Sequence, residues 1–195
     1  MANEIPQFFR NREGRRLFSI LHRPAARSQK AVVFCAPLFE EKLWSHRVAV
    51  NFGRYLSARG VAVLRFDYFG DGESEGRFEQ ASVSSRVQDI QDAVTFCRAE
   101  TAAAELHLVG LSFGASLATV AGLQDERIAS VIAWSPVIDT ERYVGDLLRA
   151  NLTAQMVVHR KVVQDREALV QQILAGETVN IEGYELGKDL YTQML

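Results

Sequence analysis

The sequence contains few cysteines, and its first residues lack the features of an export signal. Cys35 and Cys97 are the only cysteines among 195 residues, and each lies in an apolar segment without a partner motif. The first sixteen residues, MANEIPQFFRNREGRR, contain no apolar core of the kind that a signal peptide needs. These features predict buried free thiols and a cytoplasmic, reducing location.

The sequence also lacks an excess of charge of either sign. It has 22 basic and 24 acidic residues and no basic run interleaved with aromatic residues, so it offers no electrostatic attraction to nucleic acid or to an anionic membrane. The longest uncharged stretch, 106–123, is about as long as a membrane span, but Gly110, Ser112 and Gly114 interrupt it. A strand that turns into a helix explains this stretch better. We therefore expect neither a nucleic acid nor a membrane as a partner.

Apolar patterns along residues 1–138 alternate between strands and helices. The first two segments, QFFR and RRLFSILH, flank a turn at 11–14 and predict an antiparallel hairpin. The runs KAVVFCAP, VAVLRFD, ELHLVG and RIASVIAWSP predict further strands. Helical spacing of apolar residues over 42–59 and 83–97, and again directly after the third of these runs, predicts helices between them. This order indicates an α/β fold with a mostly parallel sheet flanked, and covered on both faces, by helices.

The remaining residues, 139–195, have a different composition. They are mostly helix formers with amphipathic stripes, and no apolar run typical of a strand follows Trp134. We interpret residues 1–138 as the N-terminal part of a hydrolase-like core, and residues 139–195 as a helical lid segment packed over its sheet.

The sequence Gly110-Leu111-Ser112-Phe113-Gly114 lies where a predicted strand turns directly into a helix. A residue at such a bend adopts strained backbone angles, and its neighbours must be small. The arrangement lifts the Ser112 hydroxyl above the carboxyl edge of the sheet as a nucleophile, and it places the Phe113 N–H where an oxyanion would develop. The alternative is a tight turn in which Ser112 only caps the helix.

The segment Pro37-Leu38-Phe39-Glu40-Glu41 follows the strand AVVFCA and precedes the first long helix. The loop at this place supplies the second oxyanion donor in folds with a nucleophile elbow, and position favours Leu38, with Phe39 next. The alternative is an ordinary loop whose two glutamates favour the helix N-terminus. Phe39 and Trp134 are candidates for the wall of an acyl pocket, or for ordinary packing.

The glycine-rich stretch FDYFGDGESEG, 66–76, does not have the spacing of a dinucleotide-binding loop. Its four acidic side chains, those of Asp67, Asp71, Glu73 and Glu75, would repel a phosphate. We interpret it as a structural turn.

Three of these segments, 37–41, 66–74 and 110–114, resemble α/β-hydrolases. The resemblance is strongest to the serine aminopeptidase-like branch, including small bacterial hydrolases encoded beside exosortase systems, and it covers about residues 5–138. It implies a serine hydrolase without cofactor or metal, acting on a small ester, thioester or amide substrate. It also implies Ser112 as the nucleophile, with the backbone N–H groups of Leu38 and Phe113 as the oxyanion hole.

The chain departs from this family in its second half. Family members place an acid and then a histidine on loops after two further strands, and no such strands are visible before Leu195. We therefore expect the chain to be truncated, with the base and acid beyond residue 195. Within the chain, His46, His159 and Asp139 are weak candidates beside the simpler interpretations of surface histidines and a helix cap.

Two functions from different classes remain open at this stage. The first is an acyl-enzyme serine hydrolase, impaired here because its base is not visible. The second is a catalytically silent protein of the same fold that binds an acyl ligand or a partner chain. Pairing of an exposed sheet edge with a second copy is also open, and the sequence leaves the oligomeric state undetermined.

Overall fold

A six-stranded sheet forms the centre of the computed structural model, which describes residues 3–195. Its strand order is β1-β2-β4-β3-β5-β6. The first three strands in this order pair antiparallel, and β4, β3, β5 and β6 run parallel to one another. The strands are β1 Asn3–Arg10, β2 Arg16–Arg23, β3 Lys30–Cys35, β4 Ala62–Phe66, β5 Glu105–Leu111 and β6 Ile128–Trp134. The predicted hairpin and mostly parallel sheet are confirmed.

Three helices connect the parallel strands and flank the sheet. They are α1 Phe39–Ser57, α2 Val83–Thr101 and α3 Phe113–Gln124. All three correspond to predicted helices, but α1 begins earlier and α2 extends further than expected. The start of α2 is fixed by Ser82, whose hydroxyl accepts a hydrogen bond from the Ser85 N–H while the Ser85 hydroxyl accepts one from the Ser82 N–H. These helices place the carboxyl ends of β3 and β5 beside each other, each leading into a helix N-terminus.

The sheet is not covered on both faces, contrary to the sequence expectation. Strand β6 pairs only with β5, and Ile132 and Trp134 on it are 58% and 54% exposed. A groove of about 460 Å³ lies between these two side chains and Phe52 and Leu56 of α1. Apolar composition predicted a strand here correctly, but it did not predict that one face of the strand would stay uncovered.

Residues 139–195 are mostly helical, as expected, and also contain a short hairpin. The elements are α4 Thr140–His159, α5 Arg166–Leu174, β7 Val179–Ile181, β8 Tyr184–Leu186 and α6 Lys188–Met194. The three-residue strands are too short to give a visible apolar run. The ring of Tyr184 packs against Phe39 of α1 and against Phe78, so this segment contacts the core. No helix among residues 3–195 is both long and apolar enough to cross a membrane.

Two of the four acidic side chains of the glycine-rich turn, those of Asp67 and Asp71, form contacts inside the protein. Lys42 of α1 lies 2.8 Å from an Asp67 carboxylate oxygen and 3.7 Å from one of Asp71. Arg86 of α2, which is fully buried, donates a hydrogen bond of 3.0 Å to Asp71. The Asp67 carboxylate also accepts the N–H of Glu73. These contacts confirm the structural interpretation of the turn and tie it to both helices.

His22 predicts a specific pH dependence of stability. Burial and, to a smaller extent, the charge of Arg65 together lower the pKa of His22 to about 4. The folded protein therefore holds a neutral imidazole whose Nε2 accepts a hydrogen bond of 2.9 Å from Arg65. An unfolded imidazole titrates near 6.5. The unfolded state therefore binds more protons between these values, and the free energy of unfolding falls as the pH drops through this window.

We expect His22 to account for about 3 kcal/mol of stability lost between pH 6.5 and 4. His22→Gln, which keeps an acceptor for Arg65 but does not titrate, should flatten this part of the profile in urea titrations. The control His159→Gln, at the exposed end of α4, should keep the slope of the parent. An unchanged slope in His22→Gln would contradict the assignment.

Candidate active site

Ser112 lies at the bend between β5 and α3 with backbone angles that L-residues rarely adopt. Its φ is 52° and its ψ is −126°, and its N–H donates to the Trp134 carbonyl at 3.0 Å. Its side chain makes no capping hydrogen bond to α3. The interpretation of Ser112 as a simple helix cap is therefore wrong, and its hydroxyl is available for another contact.

The two glycines that flank Ser112 are required by close backbone contacts. A Cβ on Gly114 would lie 2.2 Å from the Ala36 carbonyl oxygen, at the end of β3. A Cβ on Gly110 would lie 2.4 Å from the Cα of Ala115 in α3. Real Cβ atoms do not approach backbone atoms this closely, so only glycine lets α3 begin directly against the carboxyl ends of β3 and β5.

The Ser112 hydroxyl donates a hydrogen bond of 2.6 Å to Oε2 of Glu41. This length is typical of a hydroxyl that donates to an ionised carboxylate. Glu41 lies in the first turn of α1. From the sequence, Glu41 was expected only to favour the helix N-terminus, because residues 71 positions apart in the chain carry no pattern that links them.

The backbone donors predicted around Ser112 are free. Within residues 3–195, the N–H groups of Leu38 and Phe113 donate to no backbone or side-chain acceptor. Leu38 directly precedes α1 and Phe113 is the first residue of α3, so both belong to helix N-termini, where a negative charge is stabilised. Phe39, the second choice from the sequence, has a φ of 54°. The role of the Leu38 and Phe113 N–H groups as an oxyanion hole stays a prediction.

A groove of about 190 Å³ opens beside Glu41, between α1 and α4. Tyr143 of α4 lines this groove and stacks on the Phe113 ring at 5.5 Å between ring centroids. Burial raises the pKa of Tyr143, and the charge of Glu41 raises it further, so its hydroxyl stays protonated. Within residues 3–195 this hydroxyl is buried and has no hydrogen-bond partner.

Phe39 and Trp134 were candidates for the wall of one acyl pocket, and the grooves that they line show whether they share it. Phe39 lines the groove beside Glu41, but Trp134 lines the separate groove on the uncovered sheet face. The two side chains therefore do not form one pocket wall, because they contact different cavities.

The sequence profile of the family described as serine aminopeptidase, S33, matches residues 27–181, which is well over half of the chain. The chain belongs to this family. The match includes the elbow, the loop at 37–41 and most of the segment after β6. No curated protein matches the sequence.

Solved structures place this S33 family member in the α/β-hydrolase fold. An esterase from Pyrococcus furiosus is 18% identical with a TM-score of 0.61, and the match covers 80% of this chain and 56% of the esterase. The α/β hydrolase GrgF from Penicillium sp. sh18 is 19% identical with a TM-score of 0.64, covering 98% and 72%. XC6422 from Xanthomonas campestris, described as a serine hydrolase without lid, is 23% identical with a TM-score of 0.54, covering 64% and 57%.

These matches confirm the predicted fold class. The chain spans little more than half the length of the esterase and of XC6422.

The four histidines of this S33 family member occupy positions other than the hydrogen-bond partner of Ser112. His22 accepts a hydrogen bond from Arg65, and Nδ1 of His107 lies 2.9 Å from the Ser130 hydroxyl. His46 lines a different groove, together with Lys42 and Asp67, and His159 is the last residue of α4. Within residues 3–195 no histidine forms a hydrogen bond with Ser112, so the structure assigns His46 and His159 no part in the site.

Asp139 acts as a helix cap. Its carboxylate accepts the N–H of Arg142 at 2.9 Å, and it directly precedes α4. This contact confirms the cap interpretation that the sequence left open. None of the contacts of Asp139 among residues 3–195 supports a role as the acid of a catalytic triad.

Proposed function

We propose that this chain carries the nucleophile of a serine hydrolase that cleaves a carboxylic ester, thioester or amide through an acyl-enzyme on Ser112. The observation that carries the proposal is the strained backbone of Ser112, held between two glycines whose replacement the neighbouring backbone would not accommodate. A strained, over-determined residue of this kind is typical of a functional position. Membership of the S33 family supports the same reaction class.

In the proposed reaction, Ser112 Oγ attacks the carbonyl carbon of the substrate. Negative charge then develops on the carbonyl oxygen, and the free N–H groups of Leu38 and Phe113 stabilise it. Loss of one such donor typically costs 10²- to 10³-fold in rate. The groove beside Glu41, which Tyr143 also lines, is the candidate site for part of the substrate.

The experiment is covalent labelling with a fluorophosphonate probe, which reacts with activated serines. We expect the parent to be labelled and Ser112→Ala to lose all labelling. The matched control is Ser116→Ala, one turn further along α3, where the hydroxyl donates to the Val137 carbonyl. This variant should keep the labelling of the parent. Equal labelling of Ser112→Ala and the parent would refute the assignment of the nucleophile.

A second function, that of a catalytically silent binding protein, is favoured by one observation. Within residues 3–195 no histidine forms a hydrogen bond with Ser112, and a serine without a histidine base is a weak nucleophile. Hydrolysis of a short-chain p-nitrophenyl ester separates the two functions. Turnover that Ser112→Ala abolishes supports the enzyme, whereas a folded parent with neither turnover nor labelling supports the binding protein.

A further inference from the structure

Phe39, the first residue of α1, has a backbone conformation that bulky residues rarely adopt. Its φ is 54°, in the left-handed region that is unfavourable for a large L-residue. This angle turns the chain from Leu38, which is extended with a φ of −100°, into the first turn of α1. The direction of the Leu38 N–H therefore depends on a strained angle, and such an angle persists only where surrounding contacts hold it.

Two aromatic rings from other elements hold Phe39. The Phe78 ring belongs to the short 3₁₀ helix Phe78–Gln80 that precedes α2, and its centroid lies 5.1 Å from that of Phe39. The Tyr184 ring of β8 lies 5.8 Å from Phe39 and 5.2 Å from Phe78, again between centroids. Aromatic pairs at these distances attract each other. A change in the backbone of Phe39, whose side chain is buried, would break two of these contacts at once.

The hairpin that carries Tyr184 is fixed to the core at a second point. Gly187 directly follows β8, and a Cβ on it would lie 2.5 Å from the Glu79 carbonyl oxygen. Its φ of −91° suits any residue, so the closeness of the two chains, and not the backbone angle, requires glycine here. The hairpin of β7 and β8 therefore has a defined position on the core, and Tyr184 supports Phe39 from that position.

We propose that Tyr184 is a positioning residue for the oxyanion hole. Its ring keeps Phe39 in the left-handed conformation that directs the Leu38 N–H towards the carbonyl oxygen of the substrate. This inference rests on the proposed hydrolase function, and in this role Tyr184 acts through Phe39 rather than by contact with the substrate. The segment 139–195, which the sequence presents as a lid, thereby also supports the loop that carries one of the two oxyanion donors.

The test compares second-order rate constants of fluorophosphonate labelling in the parent and in variants of Tyr184. The phosphoryl oxygen of the probe gains negative charge as Ser112 attacks, so it depends on the same donors as a carbonyl oxygen. Loss of a whole donor slows a reaction by about 10²- to 10³-fold, so Tyr184→Ala, which only displaces one, should slow labelling by at least about tenfold. Tyr184→Phe keeps the ring and its aromatic contacts and should stay within about twofold of the parent.

Tyr191→Ala is the matched control for a loss of stability alone. Tyr191 lies in α6 of the same segment and is more deeply buried than Tyr184, but among residues 3–195 its ring forms no aromatic pair with Phe39. Removing this ring should cost at least as much stability as Tyr184→Ala, because it leaves the larger cavity. Labelling of Tyr191→Ala should nevertheless match that of the parent.

The variant Phe39→Gly tests whether the effect of Tyr184 passes through the backbone of Phe39. Glycine adopts a positive φ without strain, so the angle no longer needs support from the neighbouring rings. When Tyr184→Ala is added to Phe39→Gly, labelling should therefore slow by less than about twofold relative to Phe39→Gly alone, since the two changes act on one coupled contact. Equal slowing in both backgrounds would contradict this route.

The outcomes separate the inference from the proposed function. A parent that is not labelled at all contradicts the proposed hydrolase, and the inference with it. A labelled parent whose rate is unchanged in Tyr184→Ala overturns the inference alone. Equal slowing in Tyr184→Ala and Tyr191→Ala also overturns it, because general loosening of the fold would then explain the loss. Circular dichroism and thermal unfolding establish that each variant is folded, and Tyr184→Leu takes the place of Tyr184→Ala if the latter does not fold.

Discussion

Arg86→Met is expected to lower the free energy of unfolding by about 3–5 kcal/mol, the usual effect of breaking a buried ion pair by removing one partner. The Arg86 side chain is 0% exposed and its partner Asp71 is 3% exposed. The guanidinium also lies 4.8 Å from the Phe78 ring centroid and 5.2 Å from that of Tyr68. Removing Arg86 leaves the Asp71 carboxylate buried, and Lys42 at 3.7 Å is then its one remaining cation partner among residues 3–195.

Urea unfolding at 25 °C measures this effect, and a double-mutant cycle identifies its cause. Because the single variants each leave an uncompensated buried charge, Arg86→Met with Asp71→Leu should lose much less stability than the sum of the two. The control Arg149→Ala removes an ion pair with Asp146 in which Arg149 is 74% exposed, and it should cost less than about 1 kcal/mol. A loss under about 1 kcal/mol in Arg86→Met would show that the buried pair is not important for stability.

Gly114→Ala is expected to damage both stability and the site. Its added methyl group would meet the carbonyl oxygens of Ala36 and Cys35 at 2.2 and 2.4 Å. These are backbone atoms, so α3 must move away from β3. Forcing an extra methylene into a packed site costs about 1–3 kcal/mol. Because the Phe113 N–H moves with α3, a displacement near 1 Å should also slow Ser112 labelling by about 100-fold.

The control is the same substitution at a helical glycine with free space. A Cβ on Gly145 in α4 would lie no closer than 3.7 Å to the flexible end of Arg166, so Gly145→Ala should leave the protein as stable as the parent or up to about 1 kcal/mol more stable. Labelling kinetics and urea unfolding of both variants test the pair of expectations. Parent-like values for Gly114→Ala in both assays would mean that the elbow tolerates a side chain.

The parts of the site that depend on neighbouring residues in the chain were predictable from the sequence. The Gly-x-Ser-x-Gly pattern at a strand-to-helix junction predicted the bend at Ser112, because the bend depends on residues that are neighbours in the chain. Leu38 was predicted by position alone, as the residue that precedes the first long helix. Glu41 was named in the same loop but given no contact with Ser112, since the sequence has no signal for the register of two helix N-termini.

The fold was likewise predictable where it depends on residues that are neighbours in the chain, and not where it depends on residues far apart. Apolar runs predicted the six strands of the large sheet, and apolar patterns of helical type predicted α1, α2 and α3. The hairpin of β7 and β8 was missed because strands of three residues carry no periodicity. The sequence of β6 resembles that of a covered strand, but Ile132 and Trp134 are exposed because coverage depends on which elements reach that face.

The amino-acid sequence by itself determined where the backbone bends sharply, which residue occupies that bend, and that strands and helices alternate around it. These properties follow from local sterics and side-chain periodicity. Only the tertiary structure decided that the Ser112 hydroxyl meets the carboxylate of Glu41, that Arg86 is buried against Asp71, and that one sheet face stays open. Such contacts join residues far apart in the chain, and their geometry exists only once the strands have taken their order in the sheet.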